Sequence, residues 1–236
     1  MSGHSKWSTI KRQKGAQDAK RGAIFTKFGN LIAIAAKEKG GDSDTNFNLR
    51  MAIDKAKLAN MPKDNIEKAI KRGTGELAGG EIQELTYEGF GPAKSQFIVK
   101  SLTDNKNRSA SDIRHIFTKY GGSFESVLWN FKQKGVVRIS DLRLQIADLE
   151  LELIDAGVQD IIKEEDDIIL YTKIGDLQGV KQFLDSKNIE SESAEIEFVA
   201  KENLKVSDEE REKIEKFIEE LEGNEDVADY YTNVNI

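Results

Sequence analysis

The stretch KGVVRISDLRLQIADLELELIDAGVQDIIKEEDDIILYTKIGDLQGVKQFLDSKNIESESAEIEFVA, Lys134 to Ala200, switches repeatedly between strand and helix periods. Val136–Ile139 is a short β-branched run and reads as a strand. Leu142–Asp155 repeats apolar residues at helical spacing and stops at Gly157. Val158–Lys163 and Ile168–Thr172 form a strand pair across the acidic turn Glu164–Asp167. A helix over Leu177–Ser186 and a strand over Glu195–Val199 follow. The order β-α-β-β-α-β is the split βαβ or ferredoxin-like plan, in which two helices cover one face of an antiparallel sheet. The predicted class is α+β, with residues 134–204 as one acidic α/β domain.

Upstream, residues 80–133 supply strands at Glu84–Glu88 and Gln96–Leu102. A helix from Ser111 to Lys119 is closed by Gly121-Gly122, and an aromatic-rich strand is expected around Val127–Phe131. Downstream, Ser207 with Glu210 three residues on is a capping box opening a last helix, and Val227–Asn233 is a last strand. A lone helix and strand cannot bury their own faces, and the 80–133 block lacks a final α-β pair. The tail 205–236 is therefore expected to return to 80–133, which makes 134–204 an insertion and predicts two α/β domains of ferredoxin-like type, one inserted in the other.

Toward the N-terminus the period is helical. Ile24, Phe28, Leu31 and Ala35 share a face of a helix beginning at Gly22 and ending at Gly40-Gly41. Asp44 or Thr45 can cap a second helix carrying Leu49, Ile53 and Ala56. Pro62 starts a third, which offers Ile66, Ala69 and Ile70 to a core and stops at Gly73. Residues 22–75 thus predict a three-helix bundle. The glycine-rich GTGELAGGE, Gly73 to Glu81, reads as a hinge, and residues 1–21 as a basic flexible arm.

Charge divides along the chain. Residues 1–75 hold 16 Lys+Arg against 7 Asp+Glu, residues 76–133 hold 7 of each, 134–204 hold 8 against 17, and 205–236 hold 4 against 11. Only the first third can attract a polyanion, and the acidic domains are candidates for a protein partner. With no cysteine the chain has no disulfide framework, cysteine-zinc site or thiol nucleophile. No apolar run approaches a membrane span or a secretion signal, so a cytoplasmic protein without membrane contact is expected.

Several strings carry a resemblance: GHSKW at Gly3–Trp7, AQDAKRG at Ala16–Gly22, IFTK at Ile24–Lys27, ANMPKDNIEKAIKRGTG at Ala59–Gly75, YEGFGP at Tyr87–Pro92, LTDNKNR at Leu102–Arg108, RHIFTKYGG at Arg114–Gly122 and YYTN at Tyr230–Asn233. Nearly end to end, the chain resembles the YebC family. That resemblance implies a helical bundle followed by two α/β domains. It also implies a regulator of gene expression that binds DNA to control transcription or, as in the mitochondrial translational activator of cytochrome c oxidase subunit I, acts in translation.

The candidate residues follow from these features. In the arm, Lys6, Lys11, Arg12, Lys14, Lys20 and Arg21 surround Trp7, and Asp18 is the lone acid. Cations release counterions from phosphates and an indole stacks on an unpaired base, but a solvated tail has the same make-up. On the bundle, Lys27, Lys63, Lys68, Lys71 and Arg72 are candidate phosphate contacts, although cations near a helix C-terminus also satisfy the helix dipole. Lys106 and Arg108, beside the start of a helix, form a candidate anion site; a polar turn that merely begins a helix is the plainer alternative. No P-loop string occurs, Asp104 to Arg108 lacks the spacing of a calcium loop, and neither His4 nor His115 has a ligand neighbour in sequence. No metal, cofactor, catalytic residue or small-molecule substrate is predicted. Trp129 and Phe131 alternating with Asn130 read as strand core. The reading is a non-enzymatic nucleic-acid-binding regulator, with DNA first, the ribosome or other RNA second, and an enzyme acting on RNA as a minor alternative.

Overall fold

The computed structural model describes residues 18–78, 80–140, 149–163 and 167–235. In chain order its elements are α1 (Asp18–Lys39), α2 (Phe47–Leu58), α3 (Lys63–Gly73), β1 (Gln83–Phe90), β2 (Gln96–Thr103), α4 (Lys106–Lys119), β3 (Ser123–Phe124), β4 (Phe131–Ile139), α5 (Glu150–Asp155), β5 (Val158–Lys163), β6 (Ile168–Thr172), α6 (Leu177–Ser186), β7 (Ser193–Ala200), α7 (Asp208–Gly223) and β8 (Val227–Thr232). Two compact units result. One takes in the described residues up to Phe131 and those from Ala200 onward; the other is Lys132–Val199. The architecture is an N-terminal helical bundle followed by two α/β folds, the second threaded into the first.

The bundle begins earlier than the apolar pattern implied, since α1 is helical from Asp18 and not from Gly22. It ends at Gly40, whose φ of +89° is the left-handed conformation glycine adopts without penalty. The cap of α2 is Asn46, not Asp44 or Thr45. Asn46 Oδ1 accepts from Leu49 N at 3.1 Å, while its Nδ2 donates to the carbonyl oxygens of Ala35 and Gly40, both at 2.8 Å. One buried amide therefore starts α2 and satisfies the end of α1. A carboxylate or a hydroxyl could not donate twice. The chain turns again at Asn60 (φ 59°), and Met61 N reaches back to Ala56 O at 2.9 Å. Pro62 occupies the N-cap of α3, one place before the expected first helical position.

Helices α1 and α3 cross where Gly73 has no side chain. A β-carbon there would lie 2.2 Å from Ala33 O and 2.8 Å from Ala36 Cβ. Gly73→Ala is therefore expected to destabilise the chain by about 2–3 kcal/mol through overpacking. Amide hydrogen exchange on α1 and α3 measures this, and unchanged protection would show that the crossing relaxes freely.

The first sheet has the order β3-β1-β2-β8, each neighbour antiparallel to the next. Because β1 is antiparallel to both β2 and β3, β2–α4–β3 is a split βαβ unit with β1 between its strands. One face packs on α4 and α7 through edge-to-face rings: Phe97–Phe217 at 4.8 Å and Phe117–Phe217 at 5.0 Å between centroids. The opposite face presents Ile98 and its cross-strand partner Tyr231, both buried, and α1 lies against β2 and β8. The bundle is thus docked on the sheet. Lys27 Nζ donates to Glu222 O at 2.5 Å, and Lys37 pairs with Glu81 at 2.7 Å. The elements on either side of residues 73–81, expected as a hinge, belong to one compact unit.

Two further expectations fail locally. Helix α4 starts at Lys106 and not at Ser111; Asn105 caps it by accepting from Arg108 N at 3.1 Å. Ser109, in its first turn, is buried and hydrogen-bonded to Ser101 Oγ at 2.7 Å. The strand expected around Val127–Phe131 is largely a 3₁₀ turn, Leu128–Asn130, that leaves Trp129 61% exposed and buries Asn130. Strand β4 begins only at Phe131.

In the Lys132–Val199 unit the sheet order is β5-β6-β4-β7, the ferredoxin-like arrangement of a β-α-β-β-α-β chain. Val137 pairs with Leu170 and Ile139 with Ile168 on one face. Helices α5 and α6 contribute Leu153, Val180 and Leu184 to the core, each 0% exposed. The other face carries Val136, Ile169 and Tyr171 together with one buried ion pair, Arg138–Glu197. Of the helix expected over Leu142–Asp155, the described part is Glu150–Asp155; residues 141–148 lie outside the described residues, as do 164–166 of the acidic turn. Ser207 and Glu210 form the capping box of α7, with both reciprocal bonds present. The bonds from Ser207 hold the Glu210 carboxyl below its ordinary pKa.

Candidate nucleic-acid interface

The candidate cations fall into three groups. Lys6, Trp7, Lys11, Arg12 and Lys14 lie outside the described residues, and Lys20 and Arg21 fall on the first turn of α1, where the backbone alone is described. The other bundle cations separate by what their side chains touch.

Helix α3 turns Ile66 and Ala69 inward, which leaves Lys63, Asp64, Glu67, Lys68 and Lys71 on its solvent face. Lys63 leans on Glu67 at 3.6 Å in an i,i+4 pair whose lysine side chain is 87% exposed, an interaction too wet to hold the ammonium. Lys68 and Lys71, three residues apart on this face, have no ion-pair partner among the described residues. Their position near the helix C-terminus suits the dipole and also leaves both ammonium groups able to meet a phosphate.

Arg72 and Lys27 are spent differently. Arg72 Nη2 donates to Asn30 Oδ1 at 2.7 Å, across the α1–α3 contact, and its Nε is buried without an acceptor. Partial burial lowers the guanidinium's pKa, while the nearby Asp104 charge works in the opposite direction. Lys27 is bonded to Glu222 O of α7. Lys27 ties the bundle to the rest of its unit, and Arg72 ties two helices of the bundle to each other. Asn30, which sequence reasoning passed over, receives Arg72 on one side and contacts Leu102 O at 3.5 Å on the other. A polar residue inside the apolar run Phe28–Ala36 was the signal for it.

The candidate anion site resolves in the same way. Arg108 Nη2 reaches Asp226 Oδ1 at 3.1 Å and Asp104 Oδ1 at 3.2 Å. Its hydrogen bond to Asp226 raises the guanidinium's pKa. Two carboxylates already neutralise Arg108, so it closes the β8 end onto the α4 start and offers little to an outside anion. Lys106 stays exposed beside it. Sequence could not show this, because Asp226 is 118 residues away.

Among the described residues no group of His, Asp or Glu side chains is arranged to hold a metal ion, and no helix is long and apolar enough to cross a membrane.

Residues 5–76 match the family model described as the TACO1/YebC protein N-terminal domain, and residues 82–234 match that of the TACO1/YebC second and third domain. A probable transcriptional regulatory protein of Thermoanaerobacter pseudethanolicus is 45% identical over 240 residues, covering 100% of this chain and 98% of the relative. One of Thermotoga maritima is 47% identical over 239 residues, covering 99% and 93%. A conserved hypothetical protein of Aquifex aeolicus, known as a crystal structure, superposes with a TM-score of 0.86 at 35% identity, covering 98% of this chain and 96% of its own.

Proposed function

This chain belongs to the TACO1/YebC family, and from that premise we propose that it is a non-enzymatic, cytoplasmic regulator of gene expression that binds nucleic acid through its N-terminal third, with duplex DNA as the first target. The observation that carries the proposal is the exposed lysine set Lys63, Lys68 and Lys71 on one helix of the segment whose charge balance is 16 to 7 in favour of cations. A polyanion is drawn to this end of the chain and repelled by the acidic C-terminal stretch. The relatives described as probable transcriptional regulatory proteins support the transcriptional reading.

A second reading, a translation factor that meets RNA at the ribosome, draws on a specific feature. The exposed residues of α3 are lysines and carboxylates, and its Asn65 and Arg72 are only partly exposed. Lysines of this kind grip phosphates without reading sequence, which suits structured RNA as well as duplex DNA.

The deciding experiment measures the full chain, and a copy that begins at Asp18, against duplex DNA and intact ribosomes at several salt concentrations. Neutralising roughly four to six phosphates predicts a log–log salt slope of about −3 to −5. Tight, sequence-selective DNA binding that weakens without the arm supports transcription; preference for ribosomes over weak, indifferent DNA binding supports translation. A flat salt response on both would sink the electrostatic contact.

A further inference from the structure

An apolar knuckle at residues 125–131 stands apart from the lysines of α3. Its 3₁₀ turn, Leu128–Asn130, is held between two buried anchors, Val127 at 0% and Phe131 at 5% exposure. A single carboxylate fixes its base: Glu88 Oε2 accepts from Ser126 Oγ at 3.1 Å, Val127 N at 2.8 Å and Leu128 N at 2.9 Å. Inside, Asn130 Nδ2 donates to Gln96 Oε1 at 2.6 Å and to Glu202 O at 3.0 Å, and Asn130 Oδ1 accepts from Glu202 N at 3.0 Å. Lys201 Nζ donates to the carbonyl oxygen of Trp129 at 2.5 Å. The turn's polar groups are thus committed inward, and the side chains left outside are Leu128 and Trp129, 40% and 61% exposed.

A tryptophan displayed by a turn this well fastened is held in water by the fold itself, at the cost of apolar area that a core would bury. Tryptophan is also among the side chains enriched at the energetic centres of protein interfaces. Charge selects the occupant. Glu88 is bonded to the knuckle through its carboxylate, Glu202 through its backbone, and Glu125 precedes it in sequence, against Lys201 and, next in sequence to Phe131, Lys132. Phosphate is repelled there and a cationic chain is attracted. An indole face beside carboxylates is a receptor for a guanidinium, which stacks on the ring while its neighbours meet the acids.

We propose that the Leu128–Trp129 knuckle docks a basic, extended segment of a partner protein, with an arginine lying on the indole of Trp129. The site is separate from the α3 lysines, so it stands or falls independently of the nucleic-acid reading.

The test uses the full chain carrying Trp7→Phe, so that Trp129 is the remaining tryptophan and reports its own occupancy by fluorescence. It is titrated with a peptide of Arg-Gly-Gly repeats, with the matching Lys-Gly-Gly peptide, and with single-stranded oligothymidylate. The arginine peptide is expected to quench Trp129 saturably and to bind more tightly than the lysine peptide. With a labelled peptide, Trp129→Ala should weaken it about tenfold, equivalent to about 1.4 kcal/mol, and Leu128→Ser should weaken it by less. Lys68→Glu with Lys71→Glu should leave peptide binding intact whatever it does to nucleic acid. Equal binding of both peptides with no effect of Trp129→Ala would mean diffuse attraction and overturn the proposal. Quenching by oligothymidylate but not by the arginine peptide would overturn it too, making the knuckle a base-stacking platform, and so would no quenching by either.

Discussion

Replacing Glu197 with glutamine is expected to destabilise the Lys132–Val199 unit by about 3–5 kcal/mol, the range for removing one partner of a buried ion pair. Arg138 on β4 and Glu197 on β7 form a two-pronged pair, Nη1 with Oε1 and Nη2 with Oε2 at 2.9 Å, and their side chains are 5% and 3% exposed. Burial by itself would push the guanidinium's pKa down; the Glu197 carboxylate, by charge and by hydrogen bond, outweighs this and holds it above its ordinary value. Arg138 consequently stays charged at any accessible pH, and losing Glu197 leaves a buried cation that cannot escape by giving up its proton. Arg138→Met with Glu197→Leu removes both charges and should recover most of the lost stability, since an apolar pair of similar volume avoids the desolvation cost. Amide hydrogen exchange on β4 and β7 is the suitable readout, because the chain has two compact units and a single unfolding midpoint would mix them. If Glu197→Gln leaves exchange on these strands unchanged, water or a neighbouring side chain reaches the guanidinium and the pair is not structural.

That pair also marks the limit of what the sequence alone conveys. Strand β4 is legible from its β-branched run Val136-Val137, and β6 from its unbroken apolar stretch Ile168–Tyr171. Ser207 with Glu210 is legible because a capping box is a local, fixed-spacing device. Arg138 and Glu197, by contrast, lie 59 residues apart, and nothing local distinguishes a buried arginine in a strand from one on its wet face. The same reason explains the misplaced caps. Asp44 and Thr45 satisfy the local cap rule, but Asn46 wins because it also serves the carbonyls of Ala35 and Gly40, a tertiary demand. At Trp129 the alternation of aromatic and polar residues implied a strand. Glu88, some 40 residues earlier, instead pins the backbone of Val127 and Leu128 into a turn and reverses which side chains face the core. For the candidate interface, charge singles out a segment but cannot say which of its cations are already committed. Arg72, Lys27 and Arg108 look like Lys68 and Lys71 in a string of letters and differ from them only through Asn30, Glu222 and Asp226.

This division of cations leads to a sharper test of nucleic-acid binding. Lys68→Glu together with Lys71→Glu should weaken binding to the preferred nucleic acid roughly hundredfold at low salt, with the salt slope shrinking by about one for each phosphate that is no longer neutralised. Acids near a helix C-terminus also oppose the dipole, at about 0.3–1 kcal/mol each, so charge reversal alone could act by fraying α3. Lys68→Gln with Lys71→Gln removes the charges without introducing that penalty, and it should still shrink the slope by about two while leaving the melting temperature almost unchanged. Arg72→Gln should show the opposite pattern. Its guanidinium is bonded to Asn30 across α1 and α3, so its loss should lower stability and leave the salt slope nearly as it was. If the glutamine pair binds with the affinity and slope of the unaltered chain, α3 does not touch phosphate, and whatever grip on nucleic acid exists must come from the residues before it. If Arg72→Gln shrinks the slope as much as the lysine pair does, the distinction between spent and available cations fails, and the bundle meets nucleic acid in an arrangement other than the one its internal bonds define.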